Sequence, residues 1–412
     1  MSQPILKGKT IVLGITGSIA AYKAIELIRA IKGEGADVHV VMTKAAQQFV
    51  TPLTVQTISQ NPVATDLFSL KEEADIGHIK IARMADVVVI APATANIIAK
   101  VAHGIADDYL STILLATKAP IVMCPAMNPV MYENPVTQKN IEILRHRGVF
   151  VVEPESGHMA CGEEGQGRFP AIDIILEAIA TSITPPAWKG IKVLVSAGPT
   201  REFFDPVRFI SNPSSGKMGY AIARAALRRR AEVHLLSGPV DLAHPLGATV
   251  YSVTSALEMH EKAMTLAPEM DVIIMAAAVG DYRPKEIHSQ KVKKTGESLT
   301  LTLIPNPDII ADIGKIKKPH QITVGFAAET ENIVEHATKK LAQKNLDLIV
   351  ANDVSRQDSG FCVDTNRVKI IFRGGQVIDL PCLPKDEVAE KILDIIETLR
   401  QKVQCQGTQH CI

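Results

Sequence analysis

Thr10-Ile11-Val12-Leu13-Gly14-Ile15-Thr16-Gly17-Ser18-Ile19-Ala20-Ala21 decides the fold. Thr10–Ile15 reads as a buried strand, and a helical pattern follows from about Ile19 to Lys32. The small residues between them let backbone N–H groups approach an anion, and a helix N-terminus favours negative charge. The turn is not GxGxxG. Tight packing of helix on strand explains Gly14 and Gly17 equally well.

The same style repeats outward from that turn. Asp37–Met42, Asp86–Ala91, Ile121–Cys124 and Val149–Glu153 are Val/Ile-rich runs set between helical segments, which indicates βαβ units and a parallel sheet. The pattern breaks at Thr181–Gly190, where Pro185-Pro186 exclude a continuing helix and favour an extended linker. It restarts at Ile191–Ser196 and continues through Ala231–Leu236, Asp271–Ala276, Ile322–Gly325 and Asp347–Ala351. Arg367–Phe372 and Gln376–Leu380 flank a hairpin signal at Arg373-Gly374-Gly375. Val388–Lys402 closes the pattern as an amphipathic helix. The expectation is α/β: two Rossmann-like doubly wound parallel-sheet domains joined by a Pro-containing linker. The boundaries expected are 1–187, 188–404 and a disordered tail over 405–412. Neither half looks like a copy of the other in local sequence.

Composition narrows the function. At roughly 150 residues per domain, 412 residues suggest two or three domains. Apolar residues make up 46%, enough for a full core in each. Lys+Arg is 44 and Asp+Glu is 44, a balance that argues against a nucleic-acid-coating protein. Aromatics at 4% leave little for base-stacking platforms. No run of about eighteen apolar residues suggests a membrane span, and Met1–Lys9 lacks a signal-peptide stretch. The six cysteines make no disulfide scaffold. Cys124, Cys161, Cys362 and Cys382 are scattered, Cys405 and Cys411 flank His410 in a polar tail, and no CxxC pair exists. A cytoplasmic protein with reduced thiols is expected.

Two further turns in the first half resemble the opening one, Ala91-Pro92-Ala93-Thr94-Ala95-Asn96 and Cys124-Pro125-Ala126-Met127-Asn128-Pro129. All three lie just past carboxyl ends of strands, where open α/β sheets bind ligands. Three loops aimed at one crevice favour a phosphate-bearing planar cofactor. His78 starts a helical pattern, where histidines are commonly structural or solvated. Asn128 also reads as a turn residue. Cys161 lies in the glycine-rich segment His158–Arg168, which reads as a mobile flap of the kind that covers active sites.

GSIAAYK (17–23), GHI (77–79), APATAN (91–96), PAMN (125–128) and ACGEEGQGR (160–168) together resemble the flavin-dependent cysteine decarboxylases. The likeness covers residues 8–180, with Phe169 standing where the pattern has Met. It implies FMN, bound by Gly17, Ser18, Ile19, Thr43, Ala93, Thr94, Ala95, Asn96 and Ala126. It also implies that His78 and Asn128 serve the substrate carboxylate and that Cys161 donates the final proton. The chemistry suits these residue types. A C-terminal cysteine has no electron sink for the carbanion left by CO2. Oxidising its thiol to a thioaldehyde supplies one, and flavin can take that hydride. A thiol with a pKa near 8.5 is mostly protonated at neutral pH and can return a proton. Asn128 can hydrogen-bond a carboxylate without adding charge, and His78 can act near neutral pH.

In the second half Gly216-Lys217 tempts a P-loop reading. The spacing fails, because Ser211 and Met218 stand where Gly and Ser/Thr are required. AGPTRE (197–202), DPVRFISN (205–212), SSGKMG (214–219), NPDI (306–309), GFAAET (325–330) and KNLDLIVAND (344–353) together resemble the phosphopantothenate–cysteine ligases. The resemblance implies CTP, contacted by Asp281, Lys291, Pro307, Asp308, Ile309, Ile310, Phe326, Lys340 and Lys344, with Mg²⁺ on the triphosphate. Lys340 and Lys344 are four apart, on one helix face. The basic run Lys291–Lys294 also reads as an ordinary solvated face. In the implied reaction, 4′-phosphopantothenate attacks the α-phosphorus to give an acyl-cytidylate, and the amine of L-cysteine displaces CMP. Asn212 is tied to the acyl-cytidylate and Lys291 to its conversion. Gly280 stands where that family often has Ala.

The two halves fit one route to coenzyme A. One makes 4′-phosphopantothenoylcysteine, and the other converts it to 4′-phosphopantetheine. The resemblance further implies a homo-oligomer of trimeric flavin domains and paired ligase domains, a dodecamer. Two rival classes remain at this point: a nicotinamide oxidoreductase, which predicts GxGxxG, and a non-catalytic flavin-binding regulator, which predicts loss of His78, Asn128 or Cys161.

Overall fold

The computed structural model of the chain describes residues 6–67, 77–159, 162–294, 298–329, 333–353 and 363–408, with the side chains of 328–329, 333, 353 and 403–408 left aside. The chain divides into two compact units, Gln3–Pro185 and Pro186–Ile412. Both are doubly wound α/β structures, as the alternating pattern requires.

In the first unit β1 (Thr10–Ile15), β2 (Asp37–Met42), β3 (Val63–Ala64), β4 (Val87–Ala93), β5 (Ile121–Pro125) and β6 (Phe150–Val151) form one parallel sheet in the order β3-β2-β1-β4-β5-β6. Strands with two covered faces need apolar residues at every position, and these have them. Ile11, Leu13 and Ile15 face one core with Val87, Val89 and Ala91. Val12 faces the other with Val88 and Ile90. Each such side chain contributes roughly 1.5–3 kcal/mol on burial. The crossover helices start at hydroxyl or carboxylate caps. Thr94 Oγ1 accepts from Ile97 N–H ahead of Ala95–His103, and Asp108 forms a capping box with Ser111 ahead of Tyr109–Ala116. The segment expected as a flap is an antiparallel hairpin of β7 (Glu155–His158) and β8 (Glu164–Arg168), and residues 160–161 of its turn lie outside the described residues.

The second unit opens with β9 (Lys192–Ala197) and a small antiparallel pair, β10 (Arg201–Phe203) and β11 (Phe209–Ser211). β12 (Glu232–Ser237), β13 (Thr249–Ser252) and β14 (Val272–Met275) follow, then a second antiparallel pair, β15 (Tyr282–Pro284) and β16 (Leu303–Pro305). β17 (Ile322–Glu329), β18 (Leu348–Asp353), β19 (Thr365–Asn366), β20 (Val368–Phe372), β21 (Val377–Asp379) and β22 (Leu383–Pro384) complete it. The main sheet runs β13-β12-β9-β14-β17-β18-β20-β21. Its first six strands repeat the winding of the first unit. The last two are antiparallel, so this sheet is mixed at one edge. Here too one strand faces two cores, with Val193 and Val195 on one side and Leu194 on the other.

An aspartate pins neighbouring strands at their amino ends in both sheets. Thr10 N–H donates to Asp86 Oδ2 at 2.8 Å while Asp86 N–H donates to Thr10 C=O at 2.9 Å. Asp271 holds Lys192 in the same two-point way, at 2.8 and 2.9 Å. Asp347 holds Thr323, at 2.8 and 3.0 Å.

The closing helix spans Lys385–Thr408 rather than the expected Val388–Lys402, so 405–408, expected as the start of a disordered tail, is helical backbone. Gln401, Lys402, Gln404 and Gln406 are good helix formers, and Gly407 is the first breaker. His410 and Cys411 lie outside the described residues. The helix is held by Arg229, buried, whose guanidinium reaches Glu390 and Asp394.

Candidate functional site

In the first unit the three small-residue turns meet at the carboxyl edge of the sheet, beside the β1–β4 junction where the winding reverses. Thr16, buried, joins two of them. Its hydroxyl donates to Pro92 C=O at 2.7 Å and accepts from Thr94 N–H at 3.1 Å. Ser18 joins the third, its hydroxyl donating to Ala126 C=O at 3.3 Å. Ala126 N–H in turn donates to Ala93 C=O at 3.0 Å. Gly17 is required by close approach, because a Cβ there would fall 2.5 Å from Ala45 Cβ. Ala45 belongs to the turn after β2, which Thr43 starts by accepting from Ala46 N–H on its hydroxyl at 3.3 Å. Ile19 and Ala95–Asn96 border the same edge, Ile19 and Asn96 being exposed.

Backbone amides, three hydroxyls and small apolar side chains therefore border one crevice. That donor set fits a phosphate-bearing flavin. Thr16 was missed as a site residue by sequence reasoning. A threonine between a strand end and Gly17 was the available signal.

Asn128 caps the Pro129–Glu133 helix, accepting from Val130 N–H at 2.9 Å. Its amide nitrogen donates to Glu163, so the turn of the β7–β8 hairpin is drawn onto the Ala126–Pro129 loop. Gly165 and Gly167 let the hairpin lie close. Cβ atoms there would fall 2.8 Å from Pro129 Cβ and 2.2 Å from Met127 O. Cys161 itself lies outside the described residues. His78 sits in the first turn of the Gly77–Met84 helix, half-buried, with its ring edge-on to Tyr109 at 6.4 Å. Cys124, by contrast, is a core thiol whose pKa burial pushes well above the ordinary range, which makes it inert.

The second unit holds a cavity of about 540 Å³ at the carboxyl edge of its sheet. Asn212, Asp281, Pro307, Asp308, Ile309, Ile310, Phe326, Lys340 and Lys344 all line it. Asn212 is oriented by its amide, which donates to Ala278 C=O at 3.2 Å and Val279 C=O at 3.1 Å. Asn306 fixes the opposing loop, donating to Gly280 C=O at 2.8 Å. Asp308 caps the Ile309–Ile316 helix and pairs with Lys344 at 2.8 Å. Gly314 lets that helix touch the Lys344 turn, since a Cβ there would fall 2.0 Å from Lys344 O.

Lys291 does not line this cavity; it is exposed on the loop after β15. The next residue explains its position. Val292 N–H donates to Asp205 at 3.1 Å and Val292 C=O accepts from Arg208 at 2.6 Å. Burial opposes ionisation of Asp205, but Arg208 and three backbone N–H groups hold its pKa far below the usual carboxylate range. Asn352, Asn366 and Lys385 also line the cavity and were not singled out from the sequence. Asn352 lies within the KNLDLIVAND stretch. Asn366 and Lys385 come from the distant β19–β22 antiparallel pair and a helix start, with no local signal. Among the described residues no cluster of three or more His, Cys, Asp or Glu could hold a metal ion, and none of their helices is long and apolar enough to cross a membrane.

Each unit thus carries a crevice at the carboxyl edge of its own sheet, and comparison with known families says what kind of protein this is. Residues 2–184 match the family described as Flavoprotein, and residues 188–399 match the DNA/pantothenate metabolism flavoprotein C-terminal domain. The chain is 46% identical over 396 residues to the coenzyme A biosynthesis bifunctional protein CoaBC of Vibrio parahaemolyticus serotype O3:K6 (strain RIMD 2210633), covering 96% of this chain and 99% of that protein. It is 46% identical to the protein of that name from Escherichia coli (strain K12), covering 95% and 98%. A solved structure, the C-terminal domain of coenzyme A biosynthesis bifunctional protein CoaBC, is 44% identical with a TM-score of 0.46, covering 53% of this chain and 99% of that one.

The chain belongs to the family of coenzyme A biosynthesis bifunctional proteins. It is an enzyme with decarboxylase and ligase activities.

Proposed function

We propose that residues 188–404 join L-cysteine to 4′-phosphopantothenate at the expense of CTP, and that residues 1–187 decarboxylate the resulting 4′-phosphopantothenoylcysteine to 4′-phosphopantetheine. The observation that carries the ligase half is the single cavity lined by Asn212, Asp281, the Pro307–Ile310 turn, Phe326, Lys340 and Lys344. Its size suits a nucleotide, and its lysines suit phosphates. Phe326 offers a flat apolar face to the base. Asn212, fixed by two carbonyls, presents its amide to the acyl-cytidylate. By resemblance Lys291 serves the conversion of the acyl-cytidylate, its charge stabilising the developing negativity. Asp281 is the carboxylate best placed to meet Mg²⁺ on the triphosphate, since Asp308 is engaged by Lys344 and by its helix.

In the decarboxylase half Gly17, Ser18, Ile19, Thr43, Ala93–Asn96 and Ala126 would hold FMN. When bound, FMN supplies a hydride acceptor and donor for the cysteine side chain. The Gly17–Ile19 turn and Thr94 offer N–H and hydroxyl donors to its phosphate. His78 and Asn128 bind and orient the substrate carboxylate. Cys161, two residues from the Glu163 that Asn128 holds, protonates the product carbon. The resemblance implies trimers of the flavin domain and paired ligase domains, a dodecamer, and exposed Ile19, Tyr22, Val130 and Met131 on one unit and Phe209, Ile210 and Tyr282 on the other leave apolar surface for such contacts. The enzyme works in the cytoplasm.

The test is a coupled assay with CTP, L-cysteine and 4′-phosphopantothenate, following pyrophosphate and CO2 separately. The expected result is pyrophosphate release that needs CTP and CO2 release that needs FMN. A colourless protein that refuses FMN and leaves CTP unconsumed overturns the proposal.

A further inference from the structure

The side chain of Asn128 is held at both of its ends. Its oxygen accepts from Val130 N–H at 2.9 Å, and its amide nitrogen donates to the Glu163 carboxylate. The oxygen is thus turned toward the helix that Asn128 caps, and the nitrogen toward an acid. Asn128 is half-buried, whereas Glu163 is exposed. Backbone contacts place Glu163 there. Met127 N–H donates to Gly167 C=O at 3.0 Å, which ties β8 to the Ala126–Pro129 loop, and Met159 N–H donates to Glu163 C=O at 2.9 Å. Neither bond uses the Glu163 side chain, so its carboxylate is not needed to keep the hairpin beside that loop.

The amide of Asn128 is the group assigned above to the substrate carboxylate, and a carboxylate already holds it. Glu163 carries the same functional group, charge and pair of acceptor oxygens as the carboxylate of a terminal cysteine. Two carboxylates accepting from one amide nitrogen would stand within about 5 Å of each other, and like charges at that range disfavour one another. An incoming carboxylate must therefore displace Glu163. Its apparent affinity is reduced by the fraction of molecules in which Asn128 is already taken. A ligand without a carboxylate makes no such demand and leaves the Asn128–Glu163 bond in place.

We propose that Glu163 is a specificity-determining residue of the decarboxylase half. Its carboxylate stands in for that of the substrate on the Asn128 amide, weakens the hold on the carboxylated ligand, and retakes the amide once CO2 has left. The proposal rests on the reading of Asn128 as the holder of the substrate carboxylate.

Calorimetric titration of the flavin-loaded full chain with two probes tests it. One is 4′-phosphopantothenoylserine, whose hydroxyl replaces the thiol to be oxidised. The other is the corresponding ethanolamide, which lacks the carboxylate. Glu163→Ala should tighten the serine probe roughly 2- to 12-fold, the range of a net intramolecular hydrogen bond. Glu163→Gln should tighten it less than full truncation does, because the neutral amide still competes for Asn128, though more weakly than a carboxylate. The ethanolamide should bind both variants as it binds the wild type. Adding Asn128→Ser, which keeps a helix-capping oxygen, to Glu163→Ala should remove the gain. A Glu163 that merely braced the hairpin predicts the opposite sign. The proposal alone is overturned if Glu163→Ala weakens the serine probe or leaves it unchanged, or if the two probes shift in step. A gain that survives Asn128→Ser overturns the role given to Asn128, and a wild type that binds neither probe overturns the decarboxylase reading.

Discussion

Gly17→Ala puts the crevice of the first unit to a quantitative test. The added Cβ would sit 2.5 Å from Ala45 Cβ and 3.2 Å from the Ala45 carbonyl carbon. An ordinary carbon contact is about 3.5–4.0 Å, so the turns after β1 and β2 must separate by roughly 1 Å or more. The neighbour is a backbone-fixed methyl, so no rotamer change relieves the contact. Overpacking of this kind costs about 1–3 kcal/mol. The strain relaxes when the turns spread and returns when they close on a ligand. It should therefore surface as weaker FMN binding, by roughly 5- to 150-fold at 1.4 kcal/mol per tenfold. Absorbance titration of the full-length apoprotein with FMN measures this directly. Gly33→Ala is the control, since nothing lies within 4 Å of a Cβ there. FMN affinity unchanged in Gly17→Ala, with unchanged melting, would refute the idea that Gly17 and Ala45 form two walls of one flavin site.

Other outcomes follow from the same geometry. His78→Asn should abolish CO2 release and leave CTP-dependent ligation intact, and joint loss of both would show that the two halves do not act separately. Lys291→Gln should leave acyl-cytidylate accumulating, detectable by rapid quench, whereas normal amide formation would return that loop to the solvated face it also resembles. Gly280→Ala should keep full ligase activity and gain about 0.4–1 kcal/mol in urea denaturation, because the new Cβ meets its nearest neighbours at 3.5 Å. Asp86 lies below the ordinary carboxylate range through the Thr10 N–H, with burial opposing and Lys9 assisting. A depressed folded pKa gives stability that is complete above about pH 4 and fades as pH falls through the folded value. Asp86→Ala should thus cost stability at pH 7 and progressively less toward about pH 2, and a loss independent of pH would remove the charge from the account.

The central strands were legible because both their faces are buried, which leaves continuous Val/Ile runs such as VVVIA in β4. The two-residue strands β3 and β6 were harder, since two residues carry no period. The β7–β8 hairpin was read as a flap because glycines dominate it. Two of them are there for close packing: Gly165 against Pro129 and Gly167 against the Met127 carbonyl. Most ligase-cavity residues sit at strand ends, where the sequence shows them. Asn366 and Lys385 are brought in by the β19–β22 pair and a helix start far along the chain, and no local pattern encodes that meeting. Lys291 shows the converse: its type and place in the chain were legible, but its separation from the cavity depends on a buried grip by Asp205 and Arg208.

Asp86, Asp271 and Asp347 lock strand register at the rim opposite the two crevices. Alignment and the proposed chemistry thus occupy separate ends of each sheet. Protein engineers could exchange turns at the catalytic rim, even for ones of different length, while three carboxylates keep the framework in step. A graftable scaffold of that kind suits the evolution of new substrate preferences.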